Sequence, residues 1–205
     1  MPNDTGLRRC QCGRYVLLKD MLAVGIAATS TLPHMDCVPA ECLLECVATA
    51  FSEEMEVAAR LGYWRHLNHP YRQTYRQHRE AEEFATQAAW VATRPTRRNW
   101  WDKLRGRKSP AYSRQPGGIF TSPRFEATDE QLHNMQRLSQ LLHEWGVSSW
   151  PGHTLPLAEL YREQGRFDEA ERVISTLGEK DDCVTSQLIA SLIAEGQAAP
   201  VRYRA

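Results

Sequence analysis

The stretch from Leu157 to Ile174 is the part of this 205-residue chain that most constrains its fold. Small, aromatic and branched residues recur at helical spacing on either side of Gly165, at Ala158, Tyr161, Phe167, Ala170 and Ile174. Glycine readily adopts the conformation that ends a helix, and small residues let two helices approach closely. The pattern therefore predicts two short helices that fold back on each other around Gly165.

This helix–turn–helix pattern resembles one unit of a tetratricopeptide (TPR) repeat, over roughly residues 151–182. Ala158 and Ala170 match the small packing positions of the repeat. Thr154 and Asp182 stand where the family has an early aromatic residue and a terminal proline. The resemblance implies a peptide-binding groove, with candidate groove or rim residues Tyr161, Arg162, Arg166 and Glu169. The alternative is that the helix pair only closes the core of a helical domain.

Helix-start and helix-stop signals divide the rest of the chain. Ser52 is a predicted N-cap, and Thr128 together with Gln131 has the sequence of a capping box. Pro70 predicts a break between two helices, because a proline disfavours helical backbone in the residue before it. Gly146 predicts the end of the helix that begins after Thr128.

Apolar spacing predicts three further helices, over residues 40–51, 71–92 and 184–194. The helix over 71–92 is expected to bury one face, made of Tyr75, Phe84, Ala85, Ala88, Ala89 and Trp90. Strand-like alternation is weak outside the first 38 residues. The fold class is therefore predicted as mainly α: a helical bundle or short α-solenoid with a small Cys-containing N-terminal loop or hairpin.

Composition and the positions of proline and glycine predict four regions. They are a Cys-containing N-terminal segment (1–38), a helical region (39–92), a basic flexible loop rich in Pro and Gly (93–124), and a C-terminal helical region with the TPR-like pair (125–205). Hydrophobic residues make up 42% of the chain and charged residues 24%, which is typical of a globular protein.

The charge of the chain is unevenly distributed although it sums to zero. Residues 93–124 contain nine Lys or Arg and one acid, so this segment carries +8. The remaining residues contain 16 bases and 24 acids and carry −8. The segment is therefore expected to contact something negatively charged.

Two adjacent tryptophans lie within this basic segment, and they suggest several partners. The candidate binding residues are Trp100, Trp101, Arg97, Arg98, Arg105 and Arg107. Indole rings stack on single-stranded bases while cations contact phosphates, and they also suit a membrane surface. An acidic protein partner would suit the same charge, and so would the acidic remainder of the same chain.

The motif Cys10-Gln-Cys12-Gly resembles half of a zinc knuckle. Structural zinc takes four ligands, and the candidates for the second pair are Cys37, Cys42, Cys46 and, less favoured, His34. Cys42 and Cys46 lie one helical turn apart, so the predicted set is Cys10, Cys12, Cys42 and Cys46. The alternative is that Cys42 and Cys46 are small buried apolar residues of a helix.

Several classes of protein are disfavoured by the sequence. It contains no stretch of about 18 apolar residues that could span a membrane. Polar and charged residues between positions 10 and 20 interrupt the apolar residues that follow Arg8 and Arg9, so a signal peptide is not expected and cytoplasmic location is the default. No nucleophile elbow, P-loop or dinucleotide-binding motif is present, so an enzyme is not expected.

The sequence favours a non-catalytic protein–protein interaction or adaptor protein built on TPR-like helices, of the kind found among bacterial accessory proteins. The alternative is a nucleic-acid-binding regulatory protein that uses the basic segment 93–124.

Overall fold

A computed structural model describes residues 5–21, 35–93, 125–149, 153–177 and 184–201. The described residues form a small sheet followed by seven α-helices. The strands are β1 (Leu7–Cys10), β2 (Tyr15–Leu17) and β3 (Met35–Cys37). The helices are α1 (Leu43–Ala48), α2 (Glu53–Leu67), α3 (His69–Thr93), α4 (Asp129–Ser149), α5 (Thr154–Glu163), α6 (Phe167–Ile174) and α7 (Val184–Ala194). The predicted fold class, mainly α with a small N-terminal hairpin, is confirmed.

The N-terminal sheet is antiparallel, with strand order β2–β1–β3. Leu7 pairs with Leu17, and Arg9 lies between Tyr15 on one side and Asp36 on the other. Leu7, Tyr15 and Leu17 are buried, because one face of the sheet packs against the helices α1 and α2. The hairpin of β1 and β2 was expected from the sequence, whereas the third strand of the sheet, β3, was not.

Helix α2 lies between two hydrophobic cores. Val57, Leu61 and Trp64 face a C-terminal core formed with α4, α5, α6 and α7. The opposite side of α2 faces an N-terminal core with the sheet and α1, through Met55, Ala58, Ala59 and Tyr63. A helix that packs on both sides joins the sheet to the helical region.

The predicted helix boundaries near α2 and α4 are largely confirmed. Ser52 Oγ accepts a hydrogen bond from Met55 N at 3.2 Å. Thr128 and Gln131 form both bonds of the capping box, at 2.9 and 3.2 Å. Asn68 separates α2 from α3, as the proline at position 70 predicted.

Two predictions about helix extent are wrong. Helix α4 continues through Gly146 to Ser149, because one glycine weakens a helix without having to end it. Over residues 40–51 the chain forms a short 3₁₀ turn, Ala40–Cys42, and then only the short helix α1.

The TPR-like segment forms the predicted helix pair. Gly165 has φ 74°, and Arg166 N donates to Tyr161 O at 2.9 Å, which closes α5 with a left-handed turn. Ala158 and Ala170 are both fully buried and lie in the C-terminal core. Small residues therefore occupy the packed positions of the pair, as the pattern predicted.

Among the described helices, none combines the length and apolar character that crossing a bilayer requires.

Candidate functional site

The four residues predicted for a groove on the helix pair do not share one surface. Arg162 is fully buried, so its assignment to a groove or rim is wrong. Tyr161 is also buried, at 7% exposure, whereas the side chains of Arg166 and Glu169 are 45% and 34% exposed. Only the last two present polar groups to solvent.

Arg162 is held by an internal set of acceptors. Its Nε and Nη2 atoms donate to the two carboxylate oxygens of Glu159, at 2.8 and 2.6 Å. Its Nη1 donates to the carbonyls of Gln197 and Ala199, the latter at 3.0 Å. The guanidinium thus ties α5 to the chain after α7. A buried charge is stable only when it is paired and hydrogen-bonded in this way, so we assign Arg162 a structural role.

Arg166 and Glu169 form a surface pair above Tyr161. The guanidinium carbon of Arg166 lies 4.5 Å from the centre of the Tyr161 ring, and Nη2 donates to Glu169 Oε1 at 3.0 Å. The hydrogen bond from Arg166 lowers the pKa of Glu169, while burial raises the pKa of Tyr161. Arg166 therefore covers the aromatic ring that the TPR resemblance placed at a groove.

A buried carboxylate that no sequence motif indicated lies at the centre of the helical region. Glu163 Oε2 accepts hydrogen bonds from Trp64 Nε1 at 2.6 Å and from Asn68 Nδ2 at 2.5 Å. Arg72 Nη2 lies 3.4 Å from Oε1, and Arg162 Nη2 lies 3.9 Å from it. Burial raises the pKa of Glu163 to about 7, and the nearby arginines oppose this rise.

This cluster extends to the start of α4. Gln131 Nε2 donates to Asn68 Oδ1 at 3.0 Å, while Gln131 Oε1 accepts from Thr128 N. The guanidinium of Arg72 lies 4.5 Å over the Trp64 ring. The end of α2, the start of α4 and the end of α5 are therefore joined by one polar network.

The chemistry that this network can perform is limited by its burial. A carboxyl group with a pKa near neutrality can act as a general acid or base when a substrate reaches it. The Glu163 side chain is fully buried, and its oxygens already face four protein donors. This arrangement suits a group that holds α2, α4 and α5 together.

The four predicted zinc ligands are not gathered at one point. Cys10 and Cys12 lie at the β1–β2 turn, where Cys12 N donates to Cys10 Sγ at 3.5 Å. Cys42 Sγ accepts a hydrogen bond from Arg9 at 3.6 Å, and Cys46 is fully buried in the N-terminal core. Within the described ranges, no three His, Cys, Asp or Glu side chains are placed to hold a metal ion. This arrangement does not support the zinc set, which stays a prediction.

Helix α3 presents an exposed apolar stripe instead of the buried face that was expected. Phe84 is 75% exposed and Val91 is 45% exposed, and Ala88 between them is also exposed. None of the 25 residues of α3 is buried. The apolar periodicity of residues 71–92 predicted a helix correctly but predicted the burial of its apolar face wrongly. We call Phe84, Ala88 and Val91 the α3 stripe.

The predicted binding residues Arg97, Arg98, Trp100, Trp101, Arg105 and Arg107 lie outside the described residues. Comparison of the chain with family models, with curated proteins and with solved structures finds no match.

Proposed function

We propose that the protein is a non-catalytic protein–protein interaction or adaptor protein built on TPR-like helices. The observation that carries this proposal is the α3 stripe. Its apolar side chains are exposed, and no residue of the 25-residue helix α3 is buried. Exposed apolar rows of this kind mark contact surfaces in many proteins.

The spacing of the stripe suits a helical partner. Phe84, Ala88 and Val91 follow one another at intervals of four and three residues, so they lie on one side of α3. A partner helix with apolar residues at the same spacing could pack along this side, as amphipathic helices do in many complexes.

Two of the glutamates near the α3 stripe are paired within the same helix. Glu80 accepts from Arg76 at 2.6 Å, and Glu82 accepts from Arg79 at 3.1 Å. Apolar contact is therefore the basis on which we assign the α3 stripe to an amphipathic partner helix.

The free thiols are consistent with a cytoplasmic protein, which is the location that we propose. All five cysteines among the described residues are unpaired. Proteins of reducing compartments commonly keep their cysteines in this form.

The proposal is tested by quantitative pull-down with the full chain and two matched variants. Phe84→Glu places a charge in the α3 stripe. Phe51→Glu places the same charge at another phenylalanine, 77% exposed and outside the stripe. A partner captured by the wild type should be lost with Phe84→Glu and retained with Phe51→Glu.

The same variants should then be measured against the purified partner. We expect Phe84→Glu to raise the dissociation constant at least about tenfold, and Phe51→Glu to leave it within about twofold. Equal binding by all three proteins would contradict the assignment to the α3 stripe. Catalytic turnover of a substrate by the purified chain would contradict the wider proposal.

The charge of residues 93–124 favours a second function, the binding of single-stranded nucleic acid. A net charge of +8 with two adjacent tryptophans combines cations for phosphates with rings for bases. An electrophoretic shift assay at low and moderate salt tests it. Binding should weaken steeply with salt and with Trp100→Ala and Trp101→Ala. No shift at micromolar protein would exclude this function.

A further inference from the structure

The turn between β1 and β2 holds two cysteines close together. Gly13 N donates to Cys10 O and Cys10 N donates to Arg14 O, both at 2.8 Å. Gly13 has φ 86°, a conformation that favours glycine and allows the chain to reverse tightly. Cys10 and Cys12 are separated by one residue, so their Cα atoms lie no more than about 7 Å apart, which is close to the upper limit for a disulfide and is shortened by the turn.

The two side chains interact within this turn. Cys10 Sγ accepts a hydrogen bond from Cys12 N at 3.5 Å. Cys12 is exposed, so a dissolved oxidant can reach its sulfur. Exposure is one of the conditions that make a thiol reactive.

Cys46 offers the opposite environment in the same chain. It is fully buried in the N-terminal core. A buried thiol reacts slowly, because dissolved reagents do not reach its sulfur. Cys46 therefore provides an internal reference for the reactivity of Cys12.

We propose that Cys10 and Cys12 form a reversible dithiol–disulfide couple at the tip of the β1–β2 hairpin. The oxidant is a low-molecular-weight disulfide such as oxidised glutathione. The couple is independent of the partner-binding function proposed above, since it lies on the N-terminal sheet.

Oxidation proceeds in two exchange steps. The Cys12 thiolate attacks one sulfur of glutathione disulfide, which forms a mixed disulfide and releases one glutathione thiolate. The Cys10 thiol loses its proton to solvent and attacks the Cys12 sulfur of the mixed disulfide, which releases the second glutathione. The protein loses two electrons and two protons, and glutathione disulfide gains them as two thiols. Excess reduced glutathione reverses both steps.

The disulfide can be located in one tryptic peptide. Arg9 and Arg14 flank the pair, so trypsin releases Cys10–Arg14 with both cysteines in it. The reduced full-length protein is incubated with glutathione disulfide, blocked with iodoacetamide, digested and analysed by mass spectrometry. We expect the mass of this peptide to be lower than that of the reduced peptide by two hydrogen atoms, and neither cysteine to be carbamidomethylated.

Single variants separate the two roles. Cys10→Ser should retain Cys12 as a stable glutathione adduct, because the second thiol is missing. Cys12→Ser should leave Cys10 mostly unmodified. Cys37→Ser changes another exposed cysteine of the same sheet and should leave the disulfide unaffected. In the wild type, Cys12 should be alkylated at least about tenfold faster than Cys46.

Three results would overturn the proposal. The first is a Cys12–glutathione adduct that persists in the wild type without closure. The second is a disulfide from Cys12 to Cys37 in place of Cys10. The third is stoichiometric zinc in the isolated protein that blocks alkylation of Cys10 and Cys12 until a chelator removes it.

Discussion

Trp64 donates its indole N–H to Glu163 at 2.6 Å, a contact between residues 99 positions apart in the sequence. The bond joins α2 to α5 inside the C-terminal core. It also helps to keep a carboxyl group at a fully buried position, where burial raises its pKa to about 7. The protonation of this single side chain therefore links the stability of the helical region to pH.

Glu163→Gln is expected to remove a pH dependence of stability. The folded-state pKa of about 7 lies above the ordinary value of 4.5, so the folded protein binds a proton more tightly than the unfolded chain. The wild-type free energy of unfolding should therefore fall as pH rises from about 4.5 to 7, by on the order of 3 kcal/mol. Urea denaturation of both proteins across this range measures the difference.

Glu169→Gln is the matched control for Glu163→Gln. The hydrogen bond from Arg166 lowers the pKa of Glu169, so any contribution of this carboxylate is lost as pH falls. As pH rises, the free energy of unfolding of the wild type should therefore fall relative to that of Glu163→Gln and rise relative to that of Glu169→Gln. Parallel pH curves for Glu163→Gln and the wild type would contradict the prediction.

Arg162→Met is expected to destabilise the fold by about 3–5 kcal/mol, because it leaves a buried carboxylate without its partner. Glu159 would lose both hydrogen bonds from the guanidinium, and Ala199 O would lose its donor. Arg166→Met, at an exposed surface pair, should cost less than about 1 kcal/mol. Chemical denaturation of the two variants compares them directly.

A second substitution checks the cause of the Arg162 effect. Glu159→Leu combined with Arg162→Met removes the unpaired carboxylate and should recover part of the lost stability. Equal, small effects of Arg162→Met and Arg166→Met would show that the buried pair contributes little.

Local signals in the sequence predicted the elements that depend on neighbouring residues. The cap at Ser52, the capping box of Thr128 and Gln131, and the turn at Gly165 each rest on contacts within about five positions. Strand β3 was missed because its three residues, Met35–Cys37, are too few for alternation to indicate a strand. It exists through pairing with β1, as in the match of Arg8 with Cys37.

The errors about sites have the same origin. Arg162 was assigned to the surface because arginine is usually exposed, yet two of its acceptors lie 35 and 37 positions away. The spacing of Glu159, Arg162 and Glu163 did carry a signal, since positions three and four apart share one side of a helix. Phe84 was expected to be buried because periodicity shows which residues share a face, but not what covers that face.

Thr128→Ala is expected to cost about 1 kcal/mol through loss of the capping box. The Thr128 hydroxyl accepts from Gln131 N at 3.2 Å, and alanine has no oxygen that could accept this bond. Thr86→Ala is the control, since Thr86 is exposed within α3 and its hydroxyl donates to Glu82 O. Thermal unfolding should show a lower midpoint for Thr128→Ala only. An equal shift in both variants would mean that the cap is not what stabilises α4.

Gly165→Ala tests the turn of the TPR-like helix pair. A Cβ atom at this position would meet no atom within 4 Å, so any cost arises from the backbone, where φ is 74°. We expect a loss of about 1 kcal/mol, because alanine disfavours this conformation. Gly165→Asn should cost less, since asparagine tolerates the left-handed region better than alanine does. Urea denaturation measures both, and an order of stability with alanine above asparagine would contradict the assigned turn.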